Sequence, residues 1–161
     1  MSAAEPPQRA NSAPAGGSAA AIAASVGAHP ASAAHFMMVP GAPAPVGPFS
    51  HAVEVDGWVF LTGQMPTDPS DDRAPLPAGI EAQTRRVVDN LVLVLNGAGL
   101  ALEHVVAARV FLTHFARDYG PMNAVYRSCF PEDRLPARTC IGVTGLARDA
   151  LVEIDFIARR P

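Results

Sequence analysis

Pro136-Ala137-Arg138-Thr139-Cys140-Ile141 and, shortly after it, Val152-Glu153-Ile154 are mostly apolar runs that read as strands. Each carries a charged group, and Arg and Glu are almost never buried unless paired or put to use. Residues of one parity share a face of a strand. Arg138 and Cys140 therefore project together at the mouth of one strand. In the last strand Val152, Ile154 and Phe156 share one face, and Leu151, Glu153, Asp155 and Ile157 share the other. A guanidinium holds a carboxylate through two parallel hydrogen bonds, and a carboxylate can hold and activate a water. Anion fork and water-activating acid are what hydrolysis of a small carboxylated substrate needs.

These two runs, extended to Arg138–Val143 and Ala150–Ala158, close the chain. Upstream, Val53-Glu54-Val55-Asp56 alternates with period two, Asp56-Gly57 signals a hairpin turn, and Trp58–Thr62 follows as a more buried strand. Thr67–Pro77, rich in Asp and Pro, predicts a surface loop. Ile80, Thr84, Val87, Leu91, Val94, Leu95 and Ala98 recur at helical spacing, and Gly97 and Gly99 end that helix. Val105–Thr113 is apolar on both parities apart from Arg109, as in a central strand. A second helix is predicted from about Asp118 to Phe130, with Pro121 in its first turn and Tyr119, Met122, Val125, Tyr126 and Cys129 as its apolar stripe. The order ββαβαββ, with two helices to cover one face of a mixed sheet, is an α+β two-layer sandwich.

A chain of 161 residues with 49% hydrophobic content suits one domain. No apolar run approaches the ~18 residues of a membrane helix. A net charge of −3 without a Lys/Arg cluster argues against a nucleic-acid binder. Cys129 and Cys140 have neither a disulfide framework nor metal-ligand spacing, which suits the cytoplasm. Residues 1–38 are an Ala/Pro/Gly-rich extension expected to be disordered, ahead of a domain at 39–161. Met37 and Met38 offer an alternative start, so deleting residues 1–36 is expected to leave melting temperature and activity unchanged.

Pro136-Ala-Arg-Thr-Cys with the later Val-Glu-Ile resembles the signature of the RidA (YjgF) family. Gly47-Pro48-Phe49-Ser50, Thr62-Gly63-Gln64 and Met122-Asn123-Ala124-Val125-Tyr126 fit the same family in the same order, over roughly residues 40 to 160. The resemblance implies a chorismate-mutase-like fold and a homotrimer with sites at subunit interfaces. It also implies hydrolytic deamination of reactive 2-imino or enamine acids to 2-oxo acids and ammonia, with no cofactor. Pathway-specific enamine deamination (aminoacrylate or aminomuconate type), a non-catalytic ligand-binding trimer and, less favoured, a ribonuclease are the alternatives.

By the same resemblance Arg138 binds the substrate carboxylate and Glu153 orients water. Cys140 is a pocket wall, Thr62 and Gly63 form the pocket floor with the Gly63 N–H free for substrate, and Asn123 is a polar pocket residue. Read alone, Arg138 could equally be an edge arginine paired with an acid, Glu153 an exposed glutamate and Asn123 a solvent-facing helical residue. Thr62-Gly63 could likewise be an ordinary strand-end turn. Cys140 has no histidine nearby in sequence to make it a nucleophile. Phe49 stands where the family commonly has Tyr, which removes a hydroxyl and predicts a preference for bulkier, more apolar substrates. His51 reads as a surface histidine where relatives often have Gln. His104 and His114 lack ligand spacing, and no metal is expected.

Overall fold

The structure, a computed structural model, describes residues 33–161; of the extension expected over residues 1–38, residues 1–32 lie outside the described residues. The chain enters the sheet through β1 (His35–Met37), which pairs antiparallel with β2 (Ala52–Val55). Asp56 and Gly57 both take up left-handed backbone, with φ of 51° and 75°. That is the geometry of a two-residue hairpin whose twist matches its strands, and it delivers β3 (Trp58–Leu61) back against β2. Next come α1 (Ile80–Gly97), β4 (Val105–Leu112), α2 (Phe115–Ser128), β5 (Ala137–Gly142) and β6 (Val152–Arg159). The six strands lie in the order β1-β2-β3-β6-β4-β5, and only the β4–β5 pair is parallel.

The predicted two-layer α+β sandwich and the order ββαβαββ are present from β2 onward. β1 is an addition: His35, Phe36 and Met37 pair with Glu54, Val53 and Ala52. The domain therefore begins before the boundary expected at residue 39. Three short residues carried too little periodicity to be seen, and only the neighbouring strand reveals them. The second helix starts at Phe115 and not at Asp118, so Pro121 falls in its second turn, where it cannot donate to the Arg117 carbonyl.

Both helices cover one face of the sheet. Leu91, Val94 and Leu95 of α1 and Met122 of α2 pack on Val110, Leu112, Ile154 and Phe156, all at most a trace exposed. Truncating such a side chain to alanine costs ~2–5 kcal/mol. After α1, Gly99 (φ 70°) turns the chain while its N–H donates to Asn96 O and that of Leu100 donates to Leu95 O, the paired bonds of a Schellman end. The opposite face of the sheet carries no helix. There Phe36, Trp58 and Phe60 stand 66%, 42% and 45% exposed across β1 to β3, an apolar band of the kind that marks an interaction surface, and Ile141 of β5, 46% exposed, stands apart from it. Among the described residues no helix is long and apolar enough to cross a membrane.

Starting the chain at Met37 removes two of the three β1 pairings. Ladder bonds are worth ~0.5–1.5 kcal/mol each. This variant is therefore expected to melt ~2–8 °C below one starting at Ala33, as measured by calorimetry; equal melting temperatures would show that β1 contributes nothing.

Candidate active site

Phe60 pairs with Ile157, and the next antiparallel pair is Gln64 with Ile154. The chain leaving β3 thus has one residue more than β6 over the same span, a bulge. The bulge lifts Thr62 and Gly63 out of the ladder. Thr62 N–H donates to His51 O at 3.0 Å, while the Gly63 N–H has no acceptor among the described residues. Glu153 of β6 lies over Gly63 so closely that any Cβ at position 63 would collide with its carboxylate. These residues open onto a cleft of about 290 Å³ with a wall at Pro43–Val46, and Phe49, His51, Gln64, Met65, Thr67 and Ala147 make up the rest of the lining. Glu153 is half-buried and has no ion-pair or hydrogen-bond partner among the described residues. Burial first, and the nearby Asp155 second, push its pKa above the ordinary 4.5.

A second cleft, about 370 Å³, lies at the start of β5 between Arg138, Tyr119, Asn123, Tyr126, Leu135 and Pro136. The Arg138 guanidinium sits 4.7 Å from the centre of the Tyr126 ring, in a cation–π contact, and has no acid partner among the described residues. Asn123 Oδ1 and the Tyr126 hydroxyl are buried without a hydrogen-bond partner. Buried polar atoms are normally satisfied, so these two orphans beside a guanidinium without an acid partner are polar groups whose hydrogen bonding the described residues leave unfilled. Burial pushes the Tyr126 phenol up to about 12 against the opposing pull of Arg138. Cys140 follows Arg138 on the same face and packs on the core. Burial also raises its thiol, with Arg138 opposing, which disfavours the thiolate a nucleophile requires.

The expected site residues therefore separate: Phe49, Thr62, Gly63 and Glu153 line one cleft, Arg138 and Asn123 line the other, and Cys140, on the same strand face as Arg138, lines neither and packs on the core. Arg138 is level with Ala108 on the helix-covered face, whereas Glu153 is level with Phe111 on the open face. They are two strands and three residues apart, roughly 10 Å in each direction, on opposite sides of the sheet. One small acid cannot touch both within one chain. The paired-arginine reading applies instead to Arg109, whose Nε donates to both Asp155 oxygens at 3.0 and 2.9 Å on the open face.

His51 departs from the surface position expected of it. It is 3% exposed, and both ring nitrogens are engaged. Tyr126, read from the sequence as part of an apolar stripe and of the motif that begins at Met122, but not as a site residue, is the residue that carries Arg138. Its i,i+3 spacing from Asn123 was the available signal. Among the described residues no group of three or more His, Cys, Asp or Glu side chains could hold a metal ion.

The family model described as Endoribonuclease L-PSP matches residues 40–160. A Synechocystis protein named as a member of the RutC family is 41% identical over 120 residues, 74% of this chain and 92% of that protein. The Mus musculus 2-iminobutanoate/2-iminopropanoate deaminase is 37% identical over 117 residues, 73% of this chain and 84% of that protein. The crystal structure of the Escherichia coli YjgF product superimposes with a TM-score of 0.71 at 30% identity, over 79% of this chain and 99% of that one. An α+β sandwich with helices on one face of a six-stranded sheet is thus shared with solved relatives. The chain belongs to the RidA (YjgF) family.

Gly63→Ala is expected to leave the fold intact, because the group it strikes is the end of a flexible side chain, and to push the Glu153 carboxylate out toward solvent. Carbon-13 NMR should then find Glu153 titrating closer to 4.5 than in the unsubstituted protein. An unmoved titration would mean that Gly63 does not set the carboxylate's place.

Proposed function

We propose that the protein hydrolyses 2-imino and enamine acids to 2-oxo acids and ammonia, at sites shared between subunits of a homotrimer. The observation that carries this reading is the pair of unmatched charges, Arg138 and Glu153, on opposite faces of one sheet. A second copy is what can bring one chain's Arg138 to another's Glu153. The exposed apolar band on the helix-free face supplies a surface for that association, and a three-fold ring needs the head-to-tail contact that joins two different patches. Relatives named 2-iminobutanoate/2-iminopropanoate deaminase support the chemistry.

In the shared site Arg138 grips the substrate carboxylate through its fork, aided by the unspent Gly63 N–H of the neighbour. Glu153, with its pKa raised, takes a proton from water as the oxygen adds to the carbon of the protonated imine and forms a carbinolamine. It then returns that proton to nitrogen and takes up the hydroxyl proton as the C–N bond breaks, so that ammonia leaves and the 2-oxo acid remains. The imine carbon is already electrophilic, so positioning and proton transfer suffice. Phe49 and the Pro43–Val46 wall surround the substrate side chain with apolar surface, which favours imines bulkier than those of two- or three-carbon acids.

An amino-acid oxidase generating imines in the presence of semicarbazide tests this reading, since the protein should divert imine from the trapped product. Arg138→Ala should abolish that effect and Arg138→Lys restore little, because lysine lacks the planar fork. Glu153→Gln should lower kcat by ~10²–10⁴-fold while 2-oxo acid binding persists. Full activity in either Arg138→Lys or Glu153→Gln would refute the assigned roles.

Arg138→Ala and Glu153→Gln chains refolded together should regain about a quarter of full activity, the share of interfaces at which random mixing unites two intact halves. No recovery in mixed trimers would place both residues in one chain's site.

A further inference from the structure

Prolines occupy positions 40, 43, 45 and 48 of the segment that walls the Glu153 cleft. None can donate a main-chain hydrogen bond, and among the described residues the segment's own backbone ties are only Ala42 N–H to Val39 O at 3.3 Å and Phe49 N–H to Gly47 O at 3.0 Å. Val39 is plugged against Gly97 of α1, where a Cβ would strike it. The wall beyond Val39 therefore needs a fastener from outside, and that fastener is His51. Its Nδ1 accepts the Val39 N–H at 2.9 Å, which leaves the ring proton on Nε2 to be donated to Pro43 O, also at 2.9 Å. The same residue's carbonyl receives the Thr62 N–H. One buried residue thus joins the wall at Pro43 to the floor at Thr62, and His51 is itself among the residues that line the cleft.

We infer that His51 is a positioning residue that sets the distance from the Pro43–Val46 wall to Thr62 and Glu153, and so selects which substrate side chains enter. The choice of substrates in the test rests on the deaminase reading, whereas the fastening of the wall does not. On that reading the wall meets the side chain of the substrate and not its reacting carbon. Loosening it should consequently alter KM selectively while kcat changes little. A histidine that served stability alone would lower the melting temperature and leave the ranking of substrates untouched.

Three proteins are compared: unsubstituted, His51→Gln and His51→Leu. Gln can accept the Val39 N–H with its carbonyl and donate to Pro43 O with its amide. Leu fills similar space and does neither. The ratio of KM for the leucine-derived imine to that for the alanine-derived imine should shift by ~10-fold or more in His51→Leu, the scale on which apolar pockets discriminate. It should stay near the unsubstituted value in His51→Gln. A constant ratio in folded His51→Leu, or an equal shift in both variants, overturns the inference. If the unsubstituted protein turns over no imine, the deaminase reading falls. The same ratio is then read from calorimetric binding of pyruvate and 4-methyl-2-oxopentanoate. If His51→Leu does not fold or no acid binds, amide hydrogen exchange of the unsubstituted and His51→Gln proteins decides. Slow exchange at Val39 in both sustains the fastening, and rapid exchange in the unsubstituted protein overturns it.

Discussion

The helices cover only one face of the six-stranded sheet, and the alternation of side chains along β5 and β6 turns that asymmetry into chemistry. On β6 the residues that build the core, Val152, Ile154 and Phe156, share one parity. Glu153 is therefore obliged to stand on the open face, half-buried beside Asp155. On β5 the parity that faces the helices contains Arg138 and Cys140, so the guanidinium is trapped against Tyr126 of α2. A one-residue slip of either strand would exchange these faces and expose the core. Packing of the core therefore holds the two charges apart within the chain, and the proposed chemistry requires a second copy to reunite them.

Around the Glu153 cleft, side chains do the fastening that main-chain ladders do elsewhere. Asn90 Nδ2 donates to Met65 O and Thr67 O at 2.9 Å each. Gln83 donates to Pro77 O and accepts the Leu151 N–H, tying the approach to β6 back onto α1. His51 does the same for the proline-rich wall. Each such bond contributes only ~0.5–1.5 kcal/mol net, but together they fix loops that have little regular pairing of their own. Asn90 and Gln83 belong to α1 and His51 directly precedes β2, so regular elements hold irregular backbone to a fixed shape. The Arg109–Asp155 pair differs: its arginine is 64% exposed, so it adds little in water, and it gains only if a partner covers the open face.

The residues along the chain determined much of this by themselves. The periodicity of Ile80–Ala98, the Asp56-Gly57 turn and the parity of Val152, Ile154 and Phe156 were enough for an α+β sandwich, because hydrophobic repeats and turn chemistry are local properties. The motif around Arg138, Cys140 and Glu153 named the candidate residues for the same reason. Only the tertiary structure decided that Arg138 and Glu153 occupy separate clefts. Strand order and register are set by packing between distant segments, and no spacing in sequence encodes them. Packing likewise revealed β1, whose three residues make a strand only against Ala52–Glu54. It turned His51 from an expected surface residue into a buried fastener and Tyr126 from a stripe residue into the seat of Arg138. In each case a side chain's role depends on what lies across from it, and that neighbour arrives from elsewhere in the chain.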